Sequence, residues 1–492
     1  MSYQAKIKKS QILFKKAEGY RQQNDYDNAI KHYEDSINVI GTQPSAYVGI
    51  AMCQLQSNEI NKARKNFNLA FQFSKYTQRT PDTKYNYGIF LRETGRINES
   101  KTYFRDITET SKPFNILGFY ELVMIDAYNK INDKVMRRMK ALLNSKNTSR
   151  ILKTYLYFAF AKIYRNEGNY KLSWLNYYRG NSLSYNKQIR DSRIDSLLKI
   201  KKNIIDFFNI NRFNPTNIKL LNSKYNKNIL KGRKLILITG MPRSGTTLVE
   251  NILSTNKNVF GMGETETIAE LLTQQCEEHK KSEEDSMTLV YEQIQKDPTL
   301  LFTNAEKYFD YITKLATTSD YIDEDTIKIY LDKSTSNIVF LGFILLMFPE
   351  TKIINCERNF LDNALSLYFN KFEEMSHCWT TNLTDIIRYY KINEELTRHW
   401  KQIFPENFYN LKYETLVNNT ETTIKSLLNF CNLEWSEKYL NFHKNKRTFF
   451  SKNSFKVRQP IYNTSINNWK EYETYIGELI SYANHINLNN IN

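Results

Sequence analysis

Residues 234–248, Lys-Leu-Ile-Leu-Ile-Thr-Gly-Met-Pro-Arg-Ser-Gly-Thr-Thr-Leu, carry the chain's most chemically pointed spacing. An apolar β-run at 235–238 feeds a tight Gly-Pro turn that opens straight into helix-like sequence. Such a layout cradles phosphate, because backbone N–H groups at a helix start point at an anion and the helix dipole favours its charge. Gly240 and Gly245, followed by Thr246 and Thr247, keep the spacing of a nucleotide phosphate loop, but Thr246 stands where its lysine belongs. Arg243 supplies a basic group inside the loop instead. The expected chemistry is binding of a nucleotide phosphate without the usual grip on a transferring γ-phosphate.

A loop of this kind has to be positioned by a sheet. From 234 onward short β-runs alternate with longer helical segments, which predicts a P-loop-like α/β domain with a mostly parallel central sheet. Strands are expected at 235–238, 258–260, 327–331, 352–356 and 408–411, with helices starting near Ser244, Thr265, Asn337, Leu361 and Asn418. Open parallel sheets bind ligands at the carboxyl ends of their strands. The polar residues gather there: Arg243 and Ser244 to Thr247, then Glu264, Asp332-Lys333, Glu357-Arg358 and Tyr413-Glu414.

Upstream lies an internal repeat. Ala17, Ala29 and Tyr33 recur 34 positions on as Ala51, Ala63 and Phe67, then as Gly88, Ser100 and Phe104, and again as Ala161, Ser173 and Tyr177. Turn signals at Asn24-Asp25, Ser57-Asn58, Thr94-Gly95 and Glu167-Gly168-Asn169 fall between the implied helices. The pattern resembles the tetratricopeptide repeat, whose paired antiparallel helices meet through small residues with an aromatic filling the gap. A degenerate repeat is expected at 115–145. The division read from the sequence is a helical repeat solenoid over 1–200, a helix and linker over 201–231, and an α/β domain over 232–492.

The α/β half resembles the sulfotransferases that use 3′-phosphoadenosine-5′-phosphosulfate, and among them the tyrosylprotein branch, over about 232–472. The resemblance is carried by Gly-Met-Pro-Arg-Ser-Gly-Thr-Thr-Leu, similar to the family's 5′-phosphosulfate loop. It is also carried by Arg358-Asn-Phe-Leu-Asp-Asn-Ala-Leu-Ser366, similar to its 3′-phosphate clamp. The pairing with tetratricopeptide repeats is itself similar to a bacterial-type group of these enzymes. Val457 to Tyr462 and Trp469 resemble that group's C-terminal cofactor segment, although Asn468 stands where a basic residue is usual.

The resemblance implies roles. Arg243, Thr246 and Thr247, with the backbone amides of Ser244, Gly245 and the two threonines, would hold the 5′-phosphosulfate. Arg358 and Ser366 would embrace the 3′-phosphate, a planar guanidinium fork being suited to it. Lys333 would stabilise charge on the bridging oxygen, and Glu264, 21 residues after Arg243, would be the general base. Glu266 ranks second as base, and Tyr413 and Arg458 complete the cofactor set. A singly charged sulfonate needs less counter-charge than a phosphoryl group, so no metal is expected. Plainer readings compete: a first-turn acid for Glu264, a solvated strand end for Lys333, a surface ion pair for Arg358. The basic run Lys444, Lys446, Arg447, Lys452, Lys456 and Arg458 is as well read as a solvated loop as a cover for the cofactor or a receiver of an acidic substrate.

Composition bounds the rest. The 492 residues allow two or three domains, and 41 % apolar with 14 % aromatic content supports cores. The net charge of +17 favours anionic partners, but Lys, Asn and Ile abound everywhere, as a coding bias produces, and no nucleic-acid motif is present. No nucleic-acid partner is expected. Cys53, Cys276, Cys356, Cys378 and Cys431 form no framework, and Cys276/His279 or His377/Cys378 lack a second ligand pair. The start of the chain has no apolar signal region, and no stretch predicts a transmembrane segment, so a cytoplasmic location is expected. The function expected is sulfuryl transfer to a hydroxyl or phenol, with protein tyrosine the acceptor that the resemblance favours and the repeats holding a peptide. The alternatives are a P-loop kinase-like phosphotransferase and a repeat scaffold with an inactive domain.

Overall fold

Helices that each bury one stripe must find partners, and the repeat spacing supplies them in pairs. The computed structural model describes residues 2–23, 25–74, 80–126, 133–209, 229–265, 267–274, 299–317, 324–372, 377–444 and 456–489, with scattered positions between 290 and 297. The described helices before the sheet are α1 (Tyr3–Gln22), α2 (Tyr26–Ile40), α3 (Pro44–Gln56), α4 (Ile60–Ser74), α5 (Thr80–Glu93), α6 (Ile97–Thr108), α7 (Phe114–Met124), α8 (Asp133–Asn144), α9 (Arg150–Asn166), α10 (Tyr170–Ser184) and α11 (Lys187–Phe207). The stretch 115–145, where a degenerate repeat is expected, holds α7 and α8. All the repeated small and aromatic positions are buried. Their packing is tight: a Cβ on Gly88 would lie 2.5 Å from the Phe104 ring. Asp25 caps α2 by accepting from Asn28 N, and Asn169 caps α10 by accepting from Leu172 N. Asn24 lies outside the described residues.

The chain divides into two compact units, one built on 1–167 and the other on 168–314, 323–445 and 457–492. The repeat expectation counts α10 and α11 with the arm, yet both lie in the second unit. Their aromatics explain it. Trp174 stacks on Tyr368 and Tyr475, at 5.3 and 5.4 Å between centroids, and Tyr177 stacks on Phe369 at 4.1 Å. Asn181 Nδ2 donates to Tyr368 O at 2.9 Å. Phe208, just past α11, meets Trp400 and Phe343 edge-on at 5.1 and 5.0 Å. Tyr177 and Phe208 are buried, and fully burying a large apolar side chain contributes roughly 1.5–3 kcal/mol.

The second unit continues with β1 (Lys234–Gly240), α12 (Thr246–Leu253), β2 (Val259–Gly263), α13 (Thr267–Gln274), α14 (Thr299–Thr317), β3 (Ile329–Lys333), α15 (Leu341–Met347), β4 (Lys352–Glu357), α16 (Phe360–Tyr368), α17 (Leu383–Ile403), β5 (Phe408–Lys412), α18 (Tyr413–Asn418), α19 (Thr420–Cys431) and α20 (Gly477–Asn489). The sheet order is β2-β3-β1-β4-β5 and every pairing is parallel. All five expected strands are present, each reaching a little further toward its carboxyl end than the hydrophobic pattern predicts. That extension puts Lys333 inside β3, opposite Ile238 of β1, and buries it. The helix expected near Asn337 begins later, at Leu341, after a 3-10 turn over Thr335–Val339, because Asn337 turns its amide onto Asp332 Oδ1 at 3.1 Å. Ile236, Ile238, Val249, Ile252, Leu331, Ile354, Leu411 and Leu427 form the core on one face of the sheet. No described helix is long and apolar enough to cross a membrane.

Candidate active site

The site is built on the turn that leaves β1. Gly240 has φ +133°, and a Cβ there would lie 2.3 Å from Cys356 O on neighbouring β4, so only glycine fits. Arg243 takes φ +72°, a conformation uncommon outside glycine, and Gly245 takes φ +104°. Asn363 Nδ2 from α16 donates to Pro242 O at 3.1 Å and cinches the turn. Leu248 N and Val249 N both donate to Gly245 O, which leaves the amides of Gly245, Thr246 and Thr247 with no partner among the described residues. The Ser244 amide differs from the expectation. It donates to Met241 O at 3.1 Å, closing the turn, so it is not available to an anion. Replacing Gly240 with alanine is expected to cost about 1–3 kcal/mol of stability through strain. A thermal melt checks this, and an unchanged midpoint would show that the turn tolerates a Cβ.

The next side chains arrive from the end of β4. Arg243 Nε donates to Ser366 Oγ at 3.2 Å, while Arg358 Nη1 donates to Arg243 O at 3.1 Å. The loop arginine, the strand-end arginine and the helix serine therefore meet. Burial and the Arg358 charge lower the Arg243 guanidinium to about 10. Two cations held this close favour an anion between them. Arg358 also lies 4.8 Å over the Tyr413 ring, and Tyr413 presses on the loop, 2.9 Å from where a Cβ on Gly245 would be. Ser244 Oγ and Arg358 Nε are buried without a hydrogen-bond partner among the described residues. Orphaned donors beside free loop amides fit the phosphate groups of a nucleotide.

A C-terminal strap crosses this corner. Arg358 Nη2 donates to Ser465 O at 2.8 Å, and the Asp362 carboxylate accepts from Asn467 N at 2.7 Å and Trp469 N at 3.1 Å. Asn251 Nδ2 on α12 donates to Val457 O at 2.7 Å, which ties down the residue beside Arg458. Asn468 donates to Thr464 O at 2.6 Å within the strap itself.

A second cluster lies at the ends of β2 and β3. Lys333 is 0 % exposed, which excludes a solvated strand end. Its Nζ lies 2.7 Å from Glu264 Oε1 and 3.7 Å from Glu250 Oε2. Burial alone would lower the ammonium, but Glu264 and Glu250 outweigh it and the pKa is raised. Glu264 is the accessible partner, its side chain 58 % exposed against 3 % for Glu250. Glu264 precedes α13 by a short link and is close enough to Arg243 for its charge to be felt there. Asp332 is committed to structure, accepting from Tyr308, Thr265 and Asn337 at 2.7, 3.1 and 3.1 Å. Burial raises its carboxyl to about 6. Glu357 is occupied by Lys401 and Asn355.

Of the residues expected from sequence, Arg243, Ser244, Gly245, Ser366, Arg358 and Tyr413 converge, with Thr246 and Thr247 opening α12, and Glu264 pairs with Lys333. Arg458 is tethered beside α12. Glu266, Cys276, His279, Lys446, Arg447 and Lys452 lie outside the described residues. Sequence reading missed Glu250, Asn363 and the strap role of Asp362. An acid inside the apolar run Leu-Val-Glu-Asn-Ile-Leu is the one signal that could have marked Glu250, since a buried carboxylate demands a partner.

Residues 236–437 match the model of the sulfotransferase family, and residues 10–40 match a tetratricopeptide repeat model. A relative from Aquifex aeolicus, described as an uncharacterized protein, is 33 % identical over 261 residues, covering 51 % of this chain and 33 % of its own. The chain thus spans about a third of the length of the curated relative it matches. Among solved structures, the sulfotransferase domain of the Synechococcus PCC 7002 olefin synthase is 14 % identical, with a TM-score of 0.35 over 52 % of this chain and 94 % of its own. The sulfotransferase domain of the curacin biosynthetic pathway is 15 % identical, with a TM-score of 0.32 over 52 % and 98 %. The sulfotransferase STF1 of Mycobacterium tuberculosis H37Rv is 12 % identical, with a TM-score of 0.28 over 71 % and 99 %.

Proposed function

We propose that this chain, whose residues 236–437 match the sulfotransferase family, transfers a sulfuryl group from 3′-phosphoadenosine-5′-phosphosulfate to a hydroxyl or phenol. The observation that carries the reading is the meeting of Arg243, Arg358 and Ser366 beside the free amides of the loop. A nucleotide phosphorylated at both ends of its ribose is the ligand that uses all of them. When bound, it supplies the activated sulfuryl group.

The chain's own residues divide the work. Gly245, Thr246 and Thr247 offer amides, and Ser244 a hydroxyl, to the 5′ side. Arg358 and Ser366 hold the 3′-phosphate, with Tyr413 and the strap bearing Arg458 closing the corner. Lys333 presents a fixed positive charge where the leaving oxygen gains charge, a form of stabilisation that needs no reorganisation. Glu264, exposed and hydrogen-bonded to Lys333, accepts the acceptor's proton. No metal enters this scheme, because Arg243, Arg358 and Lys333 supply the positive charge.

Protein tyrosine is the acceptor we favour, with the repeat arm holding the peptide, since stacked repeats build extended binding surfaces. The described cysteines, Cys53, Cys356, Cys378 and Cys431, are free and buried, which supports a reducing, cytoplasmic compartment. Incubation with radiolabelled donor and fractionated lysate tests the reading. Label on tyrosine of a protein is the expected result. Label on carbohydrate or lipid would move the acceptor class, and transfer from ATP instead would replace the reading with a kinase.

A further inference from the structure

Lys333 has two carboxylate partners where one would neutralise it. The pair differ in every respect that matters. Glu264 sits at the end of β2 with its side chain 58 % exposed and bonds Nζ at 2.7 Å. Glu250 rises from α12, is 3 % exposed, lies 3.7 Å from Nζ through Oε2, and is fixed because Oε1 accepts from Gly263 N at 2.8 Å. Arg243 and Lys333 face Glu264, while Glu264, Glu250 and Asp332 face Lys333. Asp332 is already held by Tyr308, Thr265 and Asn337.

An exposed base paired to a buried cation has a conflict. When the acceptor's O–H proton passes to a Glu264 oxygen, the electron pair stays on the acceptor oxygen and forms the new bond to sulfur. The sulfate donor's oxygen–sulfur bond then breaks with its pair on the leaving bisphosphate. At that moment Glu264 is neutral, and a lone buried ammonium would shed its proton to escape the missing counter-charge. Lys333 must stay charged just then, because the leaving oxygen is gaining charge.

We propose that Glu250 is the permanent counter-ion of Lys333, keeping it cationic while Glu264 leaves the pair and takes the acceptor's proton. Glu250 is thus a positioning residue, acting through Lys333, and its helix begins in the phosphate loop. This inference rests on the sulfuryl-transfer reading for the role of Glu264, but the charge arrangement is testable without turnover.

The test monitors Lys333 by NMR in protein carrying 13C-labelled lysine, its signal assigned by loss in Lys333→Met. Glu250→Gln keeps an oxygen for Gly263 N, so the anchor survives while the charge goes. In Glu264→Gln, Lys333 is expected to keep its proton into the alkaline range, as in the parent protein. In the Glu250→Gln/Glu264→Gln double variant its midpoint should fall by about 2 units or more, within the range known for buried lysines. Equal titration in the two variants would overturn the proposal. In turnover, Glu250→Gln is expected to lower kcat about tenfold or more with the donor KM nearly constant. Its alkaline limb should move to lower pH, and Glu250→Asp should recover part of the rate. An unaltered pH profile would overturn it too. Absence of transfer by the unmodified protein would instead refute the functional reading, leaving the NMR result to judge Glu250.

Discussion

Lys333→Met is expected to lower kcat for sulfuryl transfer by about 10²–10³-fold or more, the range seen when one preorganised charge-stabilising donor is removed. Methionine matches the length of the buried stem, so the space at the end of β3 stays filled. Nucleotide affinity should change little, since Lys333 lies with Glu264 and Glu250 and not with Arg243, Arg358 and Ser366. Stability should fall, because the change strands the buried Glu250 carboxylate, and breaking a buried pair costs about 3–5 kcal/mol. Adding Glu250→Gln to Lys333→Met should restore much of that stability without restoring activity. Single-turnover kinetics and urea denaturation read the two effects separately. A kcat within about threefold of the parent would remove Lys333 from the chemistry.

Arg358→Ala is the second large effect. One guanidinium bonds Arg243 O, bonds Ser465 O and covers the Tyr413 ring, so its loss loosens loop and strap together. Hydrogen bonds to charged groups contribute about 1.5–3 kcal/mol each, which predicts a loss of nucleotide affinity of about a hundredfold or more. Arg358→Lys should recover little, because a point charge cannot replace a fork bonded to two carbonyls. Limited proteolysis should cut faster within 457–469 in both variants. Unchanged affinity in calorimetry would mean that Arg358 serves the strap alone.

Much of this was legible in the chain. Strand runs of consecutive apolar residues declared the parallel sheet, and the small-and-aromatic spacing declared the paired helices, because both patterns are local and periodic. A charged residue at one strand end is commonplace, so Arg243, Arg358 and Lys333 were visible only because polar clusters gather at all five strand ends and the motifs around them resemble those of the sulfotransferases. What stayed hidden was set by tertiary partners. Glu250 reads as one acid in an apolar helix until β3 brings Lys333 beside it. The Ser244 amide reads as one more anion donor until Met241 O claims it. Tyr177 carries the repeat's aromatic signature, and nothing local shows that it packs on Phe369 just beyond α16. Asp362 lies inside the Arg358–Ser366 motif, and its amide partners stand 105 and 107 residues away.

Two anion-gripping corners on one nucleotide are what everything else presupposes. Metal-free calorimetry comparing adenosine 3′,5′-bisphosphate with adenosine 5′-monophosphate addresses that point most directly. The bisphosphate is expected to bind about a hundredfold more tightly, with the gap collapsing in Arg358→Ala. Equal affinities for the two, or a preference for ATP with magnesium over both, would contradict it.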